Sequence, residues 1–361
     1  MSRGAIAVLS SENLLHNLAQ IKAAAPSKPL IAMVKANAFG HGIRSTAARL
    51  EKHVDNLGVA SIEEALALRK IGIKRPITLI EGVFEPDELL IAACQQFHVV
   101  FHDVIQLEWL KGLSLPLPLI AWIKVDTGMG RLGFTIDDVP HALRVLKDCP
   151  FIKQPIGLMS HLACADEPQH PLNDVQLQAF AELAKGWEGP KSLSNSAAIF
   201  AYPQSHYDVI RPGICLYGVS PIKGKKASDF NFKPVMTLQT RLISVRKRVA
   251  NAFIGYGGTY QCEEPMNVGV IAIGYGDGYL RSLPPHTPVL VNGKKCHLVG
   301  RISMDMAAID LRSCDDAKVG DPVVLWGEGL PIEDIIEGSS IIPNELLTSV
   351  QSRVTFHWTL A

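Results

Sequence analysis

A lysine ends an apolar run near the start of the chain, in the segment Leu30-Ile31-Ala32-Met33-Val34-Lys35-Ala36-Asn37-Ala38-Phe39-Gly40-His41-Gly42. The run has the composition of a buried strand, and small, turn-forming residues follow Lys35. An ammonium group buried there without a partner loses its proton readily, and a neutral lysine amine is a nucleophile that forms Schiff bases. The alternative interpretation is a lysine at a strand end whose side chain extends to water.

Other polar residues, like Lys35, stand at the ends of apolar runs along the first part of the chain. Strand-like apolar runs alternate there with helical patterns, at 30–34, 57–60, 77–80, 98–101, 119–125, 155–162, 191–194 and 209–217. These eight runs predict an α/β fold, an N-terminal (β/α)8 TIM-type barrel, in which chemistry takes place at the carboxyl ends of the strands. The polar residues at or just beyond those ends are Lys35, Lys124, Arg131, His161, Asn195 and Arg211. Core packing alone explains this clustering poorly.

The helices between the runs have recognisable ends. Ser61-Ile62-Glu63-Glu64 predicts a capping box, and Gly72 predicts the end of the same helix. Leu14, Leu18 and Ile21 indicate one face of a first helix, which Ser10 or Ser11 could cap. Residues 137–148 and 173–185 also have helical spacing.

The pattern changes after about residue 230. Alternation and turn residues at 236–240, 289–293, 297–301, 307–311 and 322–326 are typical of antiparallel strands, and Asn292-Gly293 predicts a hairpin. Helical character returns only near 332–337 and 344–352. A polar segment at 223–229 separates the two sequence patterns, so we expect a barrel over 1–229 and a mainly antiparallel β domain over 230–361.

Composition narrows the function classes. The 361 residues contain 35 Lys and Arg and 35 Asp and Glu, and this zero net charge argues against a nucleic-acid or membrane-surface partner. The seven cysteines have no metal-type spacing, so we expect reduced thiols, a cytoplasmic protein and no bound metal. The short apolar stretch at residues 4–9 is not typical of a signal peptide, and no run reaches the length of a membrane span.

The segment Lys35-Ala36-Asn37-Ala38-Phe39-Gly40-His41-Gly42 resembles the pyridoxal-phosphate lysine motif of the alanine racemases, a fold-type III family. Seven further segments resemble motifs of that family in the same order: Lys124 to Gly133, Ser160 to Ala163, Asn195 to Ala198, Arg211 to Ile214, Gly255 to Tyr260, Ile273 to Tyr279, and Ser303 to Asp305. Each segment alone is a weak signal. Eight in order over nearly the whole chain are specific.

The resemblance implies an isomerase that interconverts L- and D-alanine with pyridoxal 5'-phosphate. Lys35 would hold the cofactor through a Schiff base and then act as the base on one face of the α-carbon. Tyr256 matches the tyrosine that serves the opposite face. Arg211 matches the arginine that donates to the pyridine nitrogen, and because an arginine keeps its proton, that nitrogen would stay unprotonated.

The resemblance also implies roles for the remaining motif residues. The residues implied to bind the cofactor are His161 against the ring, Asn195, and Ser196, Gly213 and Ile214 near the phosphate. Those implied to meet the substrate are Arg131, Met304 and Asp305, with Tyr275 and Arg281 in the access corridor. Lys124 matches a lysine that can carry a carbamate and thereby orient Arg131; the sequence leaves open whether it is modified. We interpret His41 as structural.

The chain departs from the family pattern at Phe39, where the usual motif has a tyrosine whose hydroxyl reaches the phosphate. Some members also have a tyrosine near the C-terminus, where this chain has Gln351-Ser352-Arg353-Val354. We therefore expect this chain to hold the cofactor more weakly. Loss of one hydrogen bond to a charged group would cost about 1.5–3 kcal/mol if nothing replaced it.

In the family, the domain that carries Tyr256 and Met304 completes the active site of the other subunit, so the resemblance implies a homodimer with shared sites. Three alternatives stay open: a racemase of broader amino-acid specificity, a pyridoxal-phosphate-dependent decarboxylase, and a non-catalytic carrier of the cofactor. Arg211 and the Gly-Tyr-Gly-Gly turn disfavour the decarboxylase, and the residues beyond 230 disfavour a single-barrel carrier. Whether D-alanine is made for peptidoglycan or alanine is broken down also stays open.

Overall fold

The computed structural model describes residues 4–359 and divides the chain into two compact units. The first, called here the barrel unit, contains residues 18–216 and 221–225. The second, called here the β unit, contains the residues up to 17, 217–220 and those from 226 onward. Each unit has its own buried core, and each is described separately below.

The chain begins with strand β1 (Ile6–Ser10) and helix α1 (Ser11–Ala24). Leu14, Leu18 and Ile21 are buried, which confirms the predicted face of this helix. Ser10 is the capping residue, because its hydroxyl accepts a hydrogen bond from the backbone N–H of Asn13 at 3.1 Å.

Seven parallel strands form the sheet of the barrel unit in chain order. They are β2 (Ile31–Met33), β3 (Asn56–Val59), β4 (Ile77–Leu79), β5 (Phe97–Phe101), β6 (Leu119–Lys124), β7 (Ile152–Met159) and β8 (Lys191–Ser192). The predicted runs coincide with these strands to within a few residues. Nearly all their residues are buried, as expected when helices cover a parallel sheet.

The eighth predicted run, 209–217, is not a regular strand, yet its backbone closes the barrel. Arg211 N donates to the carbonyl of Ser194 beyond β8, while Ile31 N and Met33 N of β2 donate to the carbonyls of Ile210 and Pro212 at 2.9 Å each. Pro212 has no N–H for a regular ladder, and a 3-10 helix follows at Ile214–Tyr217. The strand expected there is wrong over its second half, but the fold class is confirmed.

Helices connect the strands of the barrel unit. They are α2 (Lys35–Phe39), a turn described with the site below, α3 (Ile43–Leu50), α4 (Ile62–Lys70), α5 (Asp87–Gln95), α6 (Val104–Glu108), α7 (Val139–Asp148), α8 (Leu172–Ala184) and α9 (Ser196–Ala201). The helices expected at 137–148 and 173–185 are confirmed as α7 and α8.

Helix α4 begins and ends where its sequence indicates, with Ser61 at the N-cap position, but the capping bonds differ from those predicted. Gly72, with φ of 91°, follows its last turn, and Gly72 N donates to the carbonyl of Arg69 at 2.9 Å. The predicted capping box is wrong, because the Glu64 carboxylate accepts from the backbone N–H of Ala60 at 2.9 Å rather than from that of Ser61.

An eight-stranded sheet dominates the β unit, in the order β12-β15-β14-β13-β16-β9-β1-β17, and β10 pairs with β11 apart from it. The strands of the β unit after β1 are β9 (Met236–Arg248), β10 (Phe253–Ile254), β11 (Tyr260–Gln261), β12 (Met266–Ile271), β13 (Pro288–Val291), β14 (Lys294–Val299), β15 (Ala307–Asp310), β16 (Pro322–Trp326) and β17 (Thr355–Thr359). Helices α10 (Ile332–Ile335) and α11 (Pro343–Thr348) complete the unit.

Pairing in this sheet is antiparallel except between β1 and β17. Asn292 and Gly293, both in the left-handed region with φ of 50° and 76°, form the two-residue turn between β13 and β14. The mainly antiparallel C-terminal domain and its hairpin are therefore confirmed. Within residues 4–359, none of the helices combines the length and apolar character that a membrane crossing would need.

Candidate active site

The carboxyl ends of the barrel strands bring polar side chains to one edge of the barrel unit. Lys35 follows β2, Lys124 ends β6, His161 follows β7, and Arg211 lies in the closing segment. Parallel strands align these ends, so residues far apart in sequence become neighbours. Several of these residues meet at His161, since its Nδ1 lies 3.2 Å from Arg211 Nη2 and its Nε2 lies 3.4 Å from Asn195 Nδ2. Burial, and then the charges of Arg211, Lys124, Arg131 and Lys35, lower the pKa of the ring.

Lys35 begins a turn with an unusual backbone. The four residues after it, Ala36, Asn37, Ala38 and Phe39, all have positive φ between 50° and 55°. Left-handed backbone costs roughly 1–2 kcal/mol for each residue with a side chain. Such a turn persists only where neighbouring contacts hold it.

His41 is one of these contacts. Its Nδ1 donates to the carbonyl of Phe39 at 2.9 Å, and burial lowers the pKa of the ring to about 4, so the imidazole is neutral. Asn37 adds a second contact, since its Oδ1 accepts from Ile43 N at 2.9 Å. The bond to Phe39 gives His41 a structural role in this turn, as the sequence indicated.

Lys35 faces a carboxylate that the sequence analysis missed. The Lys35 Nζ lies 3.0 Å from Glu81 Oε1, and each side chain is about one-third exposed. The Glu81 carbonyl also accepts from His102 Nε2 at 3.0 Å, which ties the end of β4 to the end of β5. Glu81 stands directly after the run 77–80, so the same strand-end criterion that selected Lys35 would have selected it.

Lys124 is a buried amine among cations. Burial, followed by the charges of Arg211, Arg131 and Lys35, lowers its pKa from 10.5 to about 8, while Glu81 opposes this shift. A substantial fraction of Lys124 is therefore neutral near physiological pH. A neutral amine is a nucleophile, which is the chemical requirement for modification by carbon dioxide.

Arg211 is buried, and its two terminal nitrogens are held by hydrogen bonds. It donates to Ser192 Oγ at 2.6 Å, to the Ser160 carbonyl at 2.5 Å and to His161 Nδ1 at 3.2 Å. Burial lowers its pKa to about 10, which still leaves it protonated at neutral pH. Because the guanidinium donates to Nδ1, that nitrogen carries no proton. Burial and then the charge of Arg211 lower the pKa of His161, so its ring is neutral.

Asp126 organises the loop that carries Arg131. Its carboxylate accepts from the backbone N–H groups of Gly128, Met129 and Gly130 at 2.8–3.2 Å. Burial opposes ionisation of Asp126, but these N–H groups together outweigh it and lower the pKa of the carboxyl. The sequence analysis quoted Asp126 within a motif without giving it this role.

Asn195, Ser196, Gly213 and Phe39 meet at another part of the same edge. Asn195 caps α9, because its Oδ1 accepts from Ala198 N at 3.0 Å. Ser196 Oγ accepts from Gly213 N at 2.8 Å, which leaves the hydroxyl hydrogen to donate elsewhere. A Cβ on Gly213 would lie 3.2 Å from the tip of the Phe39 ring and 3.6 Å from Ser196 Oγ. Ile214 follows directly and begins the 3-10 helix.

In the β unit, Tyr256 lies in a turn that leaves its side chain open. It begins a 3-10 helix at Tyr256–Gly258, directly after β10 and Gly255, whose φ is 74°. Tyr256 is 67% exposed in the single chain. Its turn packs on Arg301, whose Nη1 would lie 3.0 Å from a Cβ on Gly257.

Tyr275, Met304 and Asp305 come together in the β unit. Tyr275 N donates to the Ser303 carbonyl at 3.1 Å, and Gly276 N donates to the Met304 carbonyl at 2.9 Å. A Cβ on Gly274 would lie 2.2 Å from the Ser303 carbonyl oxygen, so only glycine allows the two loops to approach this closely. Met304 is 53% exposed.

Arg353 links these two loops, a role that the sequence analysis did not assign. Its Nη2 donates to Asp305 Oδ1 at 2.6 Å, and its Nε lies 3.2 Å from Asp277 Oδ1. Asp277 is buried and also accepts from Gly274 N at 2.9 Å. Arg281 lines a cavity of about 320 Å³ with Tyr260, His286 and Arg301.

Two family models match the chain. The alanine racemase N-terminal domain matches residues 9–221, and the alanine racemase C-terminal domain matches residues 235–358. The chain belongs to the alanine racemase family. An alanine racemase of Legionella pneumophila (strain Corby) is 45% identical over 356 residues, 99% of this chain and 100% of that protein.

Solved structures of alanine racemases have the same fold. The biosynthetic alanine racemase of Pseudomonas aeruginosa is 38% identical, has a TM-score of 0.96 and is matched over 100% of both chains. The alanine racemase of Bartonella henselae, solved with covalently bound pyridoxal phosphate, is 30% identical, has a TM-score of 0.87 and is matched over 99% of both chains.

The donor set of this alanine racemase family member fits pyridoxal phosphate chemically. The cofactor has an aldehyde, a pyridine nitrogen and a phosphate, and the barrel unit offers an amine, a protonated guanidinium and a serine–glycine corner. At that corner, Gly213 without a side chain keeps open space that a Cβ would fill. The predicted site residues therefore form two groups, one in the barrel unit and one in the β unit.

Proposed function

We propose that this pyridoxal-phosphate-dependent alanine racemase interconverts L- and D-alanine with Lys35 and Tyr256 as its two bases. When bound, pyridoxal phosphate supplies an electron sink that makes the α-proton of an amino acid removable. One observation carries the assignment of roles. The Lys35 amine lies among Lys124, Arg211 and the neutral His161 in a chain that matches alanine racemases over its whole length.

Lys35 would hold the cofactor through its Nζ, and the same atom would accept or return the α-proton of the substrate. Glu81 supports this role by position, since its Oε1 lies 3.0 Å from Nζ and can hold the lysine side chain in place. Tyr256 acts on the opposite face of the α-carbon through its phenol oxygen. Racemisation requires one group on each face, because a proton must leave from one side and return from the other.

Arg211 donates to the pyridine nitrogen. Its hydrogen bonds to Ser192, Ser160 and His161 fix the guanidinium, and its pKa of about 10 keeps it charged. A fixed, protonated donor would hold the pyridine nitrogen without giving up its proton, and the electron sink that the bound cofactor supplies would then be a weaker one. His161 contacts the ring as a neutral imidazole.

Ser196, Gly213 and Ile214 bind the phosphate, and Asn195 caps the helix that begins with Ser196. The Ser196 hydroxyl supports this role, because its oxygen already accepts from Gly213 N and its hydrogen can donate. Phe39 lies beside this corner but offers no hydroxyl. We therefore expect a weaker grip on the phosphate than a tyrosine would give.

Arg131, the backbone N–H of Met304 and Asp305 receive the substrate, and Tyr275 and Arg281 line its access corridor. Arg131 needs a negative neighbour to be oriented, whereas a bare Lys124 ammonium would repel it. The neutral amine of Lys124 can bond to carbon dioxide and release one proton, which yields a negatively charged carbamate. This modification would convert the repulsion into an attraction.

The enzyme is a homodimer in which each β unit completes the site of the other subunit. Support comes from the β unit, where Tyr256, Phe253, Met304 and Met306 are 45–67% exposed in the single chain. Exposed apolar side chains of this size are typical of interfaces. The enzyme works in the cytoplasm, in agreement with its seven free cysteines.

Two variants test the two-base assignment and the shared site together. Borohydride reduction of the purified protein should fix the cofactor to Lys35, as peptide mapping can check. Lys35→Ala and Tyr256→Phe should each be nearly inactive alone. Their mixture, after subunit exchange, should recover about a quarter of wild-type activity, since half the dimers are hybrids with one intact site each. A mixture with no recovered activity would contradict shared sites, and an adduct at another lysine would contradict the role of Lys35.

The product D-alanine is a precursor of peptidoglycan, and supply of that precursor is the role we propose, with alanine breakdown as the alternative. A broader amino-acid specificity is the second candidate function. Assays with L-serine and larger amino acids beside L-alanine distinguish the two, because a small pocket discriminates against each added group by roughly 10- to 200-fold.

A further inference from the structure

Three successive strand-to-helix connections of the barrel unit share one local bond. In each, a side chain in the first turn of the helix accepts from the backbone N–H four residues earlier. The pairs are Glu64 with Ala60 at 2.9 Å, Glu88 with Phe84 at 2.7 Å, and Gln106 with His102 at 2.8 Å. This bond braces the connection after β3, β4 and β5.

Glu64 makes one bond more than this pattern requires. Its Oε2 serves the local brace to Ala60, while its Oε1 accepts from the backbone N–H of Ala36 at 2.8 Å. Ala36 directly follows Lys35 and is the first of the four left-handed residues. The carboxylate therefore joins the turn after β2 to the end of β3.

Several other bonds of the left-handed turn lie within it. Ala38 N donates to the Val34 carbonyl, His41 to the Phe39 carbonyl, and Ile43 N to the Asn37 side chain. These bonds fix the shape of the turn. Its position in the barrel depends on bonds to the neighbouring units: Val34 N donates to the Gly58 carbonyl at 2.9 Å, Lys35 bonds to Glu81, and Glu64 holds the turn itself through Ala36 N. Glu64 belongs to the next strand-to-helix unit, and a carboxylate bound to two N–H groups is a strong anchor.

We propose that Glu64 is a positioning residue for Lys35, acting through the Ala36 N–H to hold the left-handed turn against the neighbouring strand. This role rests on the proposed function of Lys35 as the cofactor lysine. It predicts that the loss of one carboxylate oxygen loosens the turn, weakens cofactor binding and slows proton transfer, without changing how alanine itself is bound.

Glu64→Gln tests this, and Glu88→Gln is its matched control. A glutamine has one acceptor oxygen and cannot serve both N–H groups. Gln106 makes the equivalent local brace with its amide oxygen, so we expect Glu64→Gln to keep the brace and to lose the cross-link to Ala36 N. Glu88→Gln makes the same chemical change in the next unit, where Glu88 braces Phe84. Hydrogen exchange of the full-length holoenzyme over residues 35–42 should become about ten-fold faster in Glu64→Gln and stay unchanged in Glu88→Gln.

The same pair should differ in cofactor affinity and in kinetics. The dissociation constant for pyridoxal phosphate should rise about ten-fold or more in Glu64→Gln, and kcat should fall while KM for alanine stays within about two-fold. Glu64→Ala and Glu88→Ala, which both lose a local brace, should lower the unfolding temperature similarly, which separates positioning from stability.

Equal exchange and equal cofactor affinity in the two glutamine variants would overturn the role of Glu64. Faster exchange with unchanged cofactor affinity would overturn it as well, because the turn would then not control the lysine. If the wild-type protein formed no adduct at Lys35, the proposed function would fail instead, whatever the exchange over residues 35–42 showed.

Discussion

The two proposed bases stand in contrasting surroundings. Lys35 lies in the barrel unit at the start of a strained turn, beside Glu81 and within reach of the charges of two buried cations, Lys124 and Arg211. Tyr256 lies in the β unit in a glycine turn and is 67% exposed in the single chain. Lys35, the first base, is therefore held at a preorganised edge of the barrel unit. Tyr256, the second base, lies on a surface of the single chain, as expected for a residue that the proposed homodimer would cover.

Lys35→Ala should have the largest effect on racemisation. A small effect would contradict the view that the barrel unit carries the preorganised half of the chemistry. Both the visible band of the bound cofactor and racemisation in both directions should be lost, the latter by at least about 10⁴-fold. Absorbance spectra and polarimetry measure the two. Lys28→Ala, a lysine bonded to the Tyr207 carbonyl at 2.5 Å, is the control. Activity retained in Lys35→Ala would exclude this residue as a base.

Tyr256→Phe should slow racemisation by about 10²- to 10⁴-fold while the cofactor band is kept. The kcat/KM falls equally in both directions, because the equilibrium constant between the two enantiomers is one. The face-specific effect appears in exchange of the α-proton with deuterated solvent, which should continue for one enantiomer and fall for the other. Tyr260→Phe is the control, and equal loss of exchange for both enantiomers would contradict the assignment.

Lys124→Met should remove a pH dependence of stability from the barrel unit. The pKa of Lys124 is lowered to about 8 in the folded protein, so between pH 8 and 10.5 the unfolded chain binds a proton that the folded chain does not. Stability therefore rises with pH across that window, by about 3 kcal/mol from this group. Denaturant unfolding in bicarbonate-free buffer should show a smaller rise in Lys124→Met. Equal rises in the two proteins would contradict the lowered pKa.

Phe39→Tyr should strengthen cofactor binding by about ten-fold or more, the value of one hydrogen bond to a charged group. The added hydroxyl extends from the ring tip that lies beside Gly213 and Ser196. Equilibrium titration of pyridoxal phosphate measures the gain. An unchanged dissociation constant would mean that another group already replaces the missing hydroxyl.

Arg353→Met should have the smallest effect on activity. It tests how rigidly the β unit holds its part of the site. The Asp277 and Asp305 contacts of this partly exposed arginine hold the loops of Tyr275 and Met304 together. We expect KM for alanine to rise about three-fold with kcat nearly unchanged, since the Asp305 pair is exposed and the buried Asp277 keeps its bond from Gly274 N. Arg353→Lys should restore part of the loss. A large fall in kcat would show that the β unit is as tightly preorganised as the barrel.

Much of the site could be predicted because strand ends are visible in the sequence. Lys35, Lys124 and His161 follow apolar runs, and barrel geometry then implies that they are neighbours. Glu81 obeyed the same criterion and was overlooked. Arg353 and the second bond of Glu64 could not be found this way, because each depends on a contact between segments distant in sequence.

The amino-acid sequence by itself determined the fold class, the family and the residue types that carry the chemistry, since periodicity and ordered motifs are local properties of the chain. Only the tertiary structure decided that 209–217 closes the barrel without a regular strand, that β1 pairs with β9 and β17, and that four residues after Lys35 are left-handed. These features depend on which backbone groups find partners across the fold. That is settled by long-range packing, which no single stretch of sequence contains.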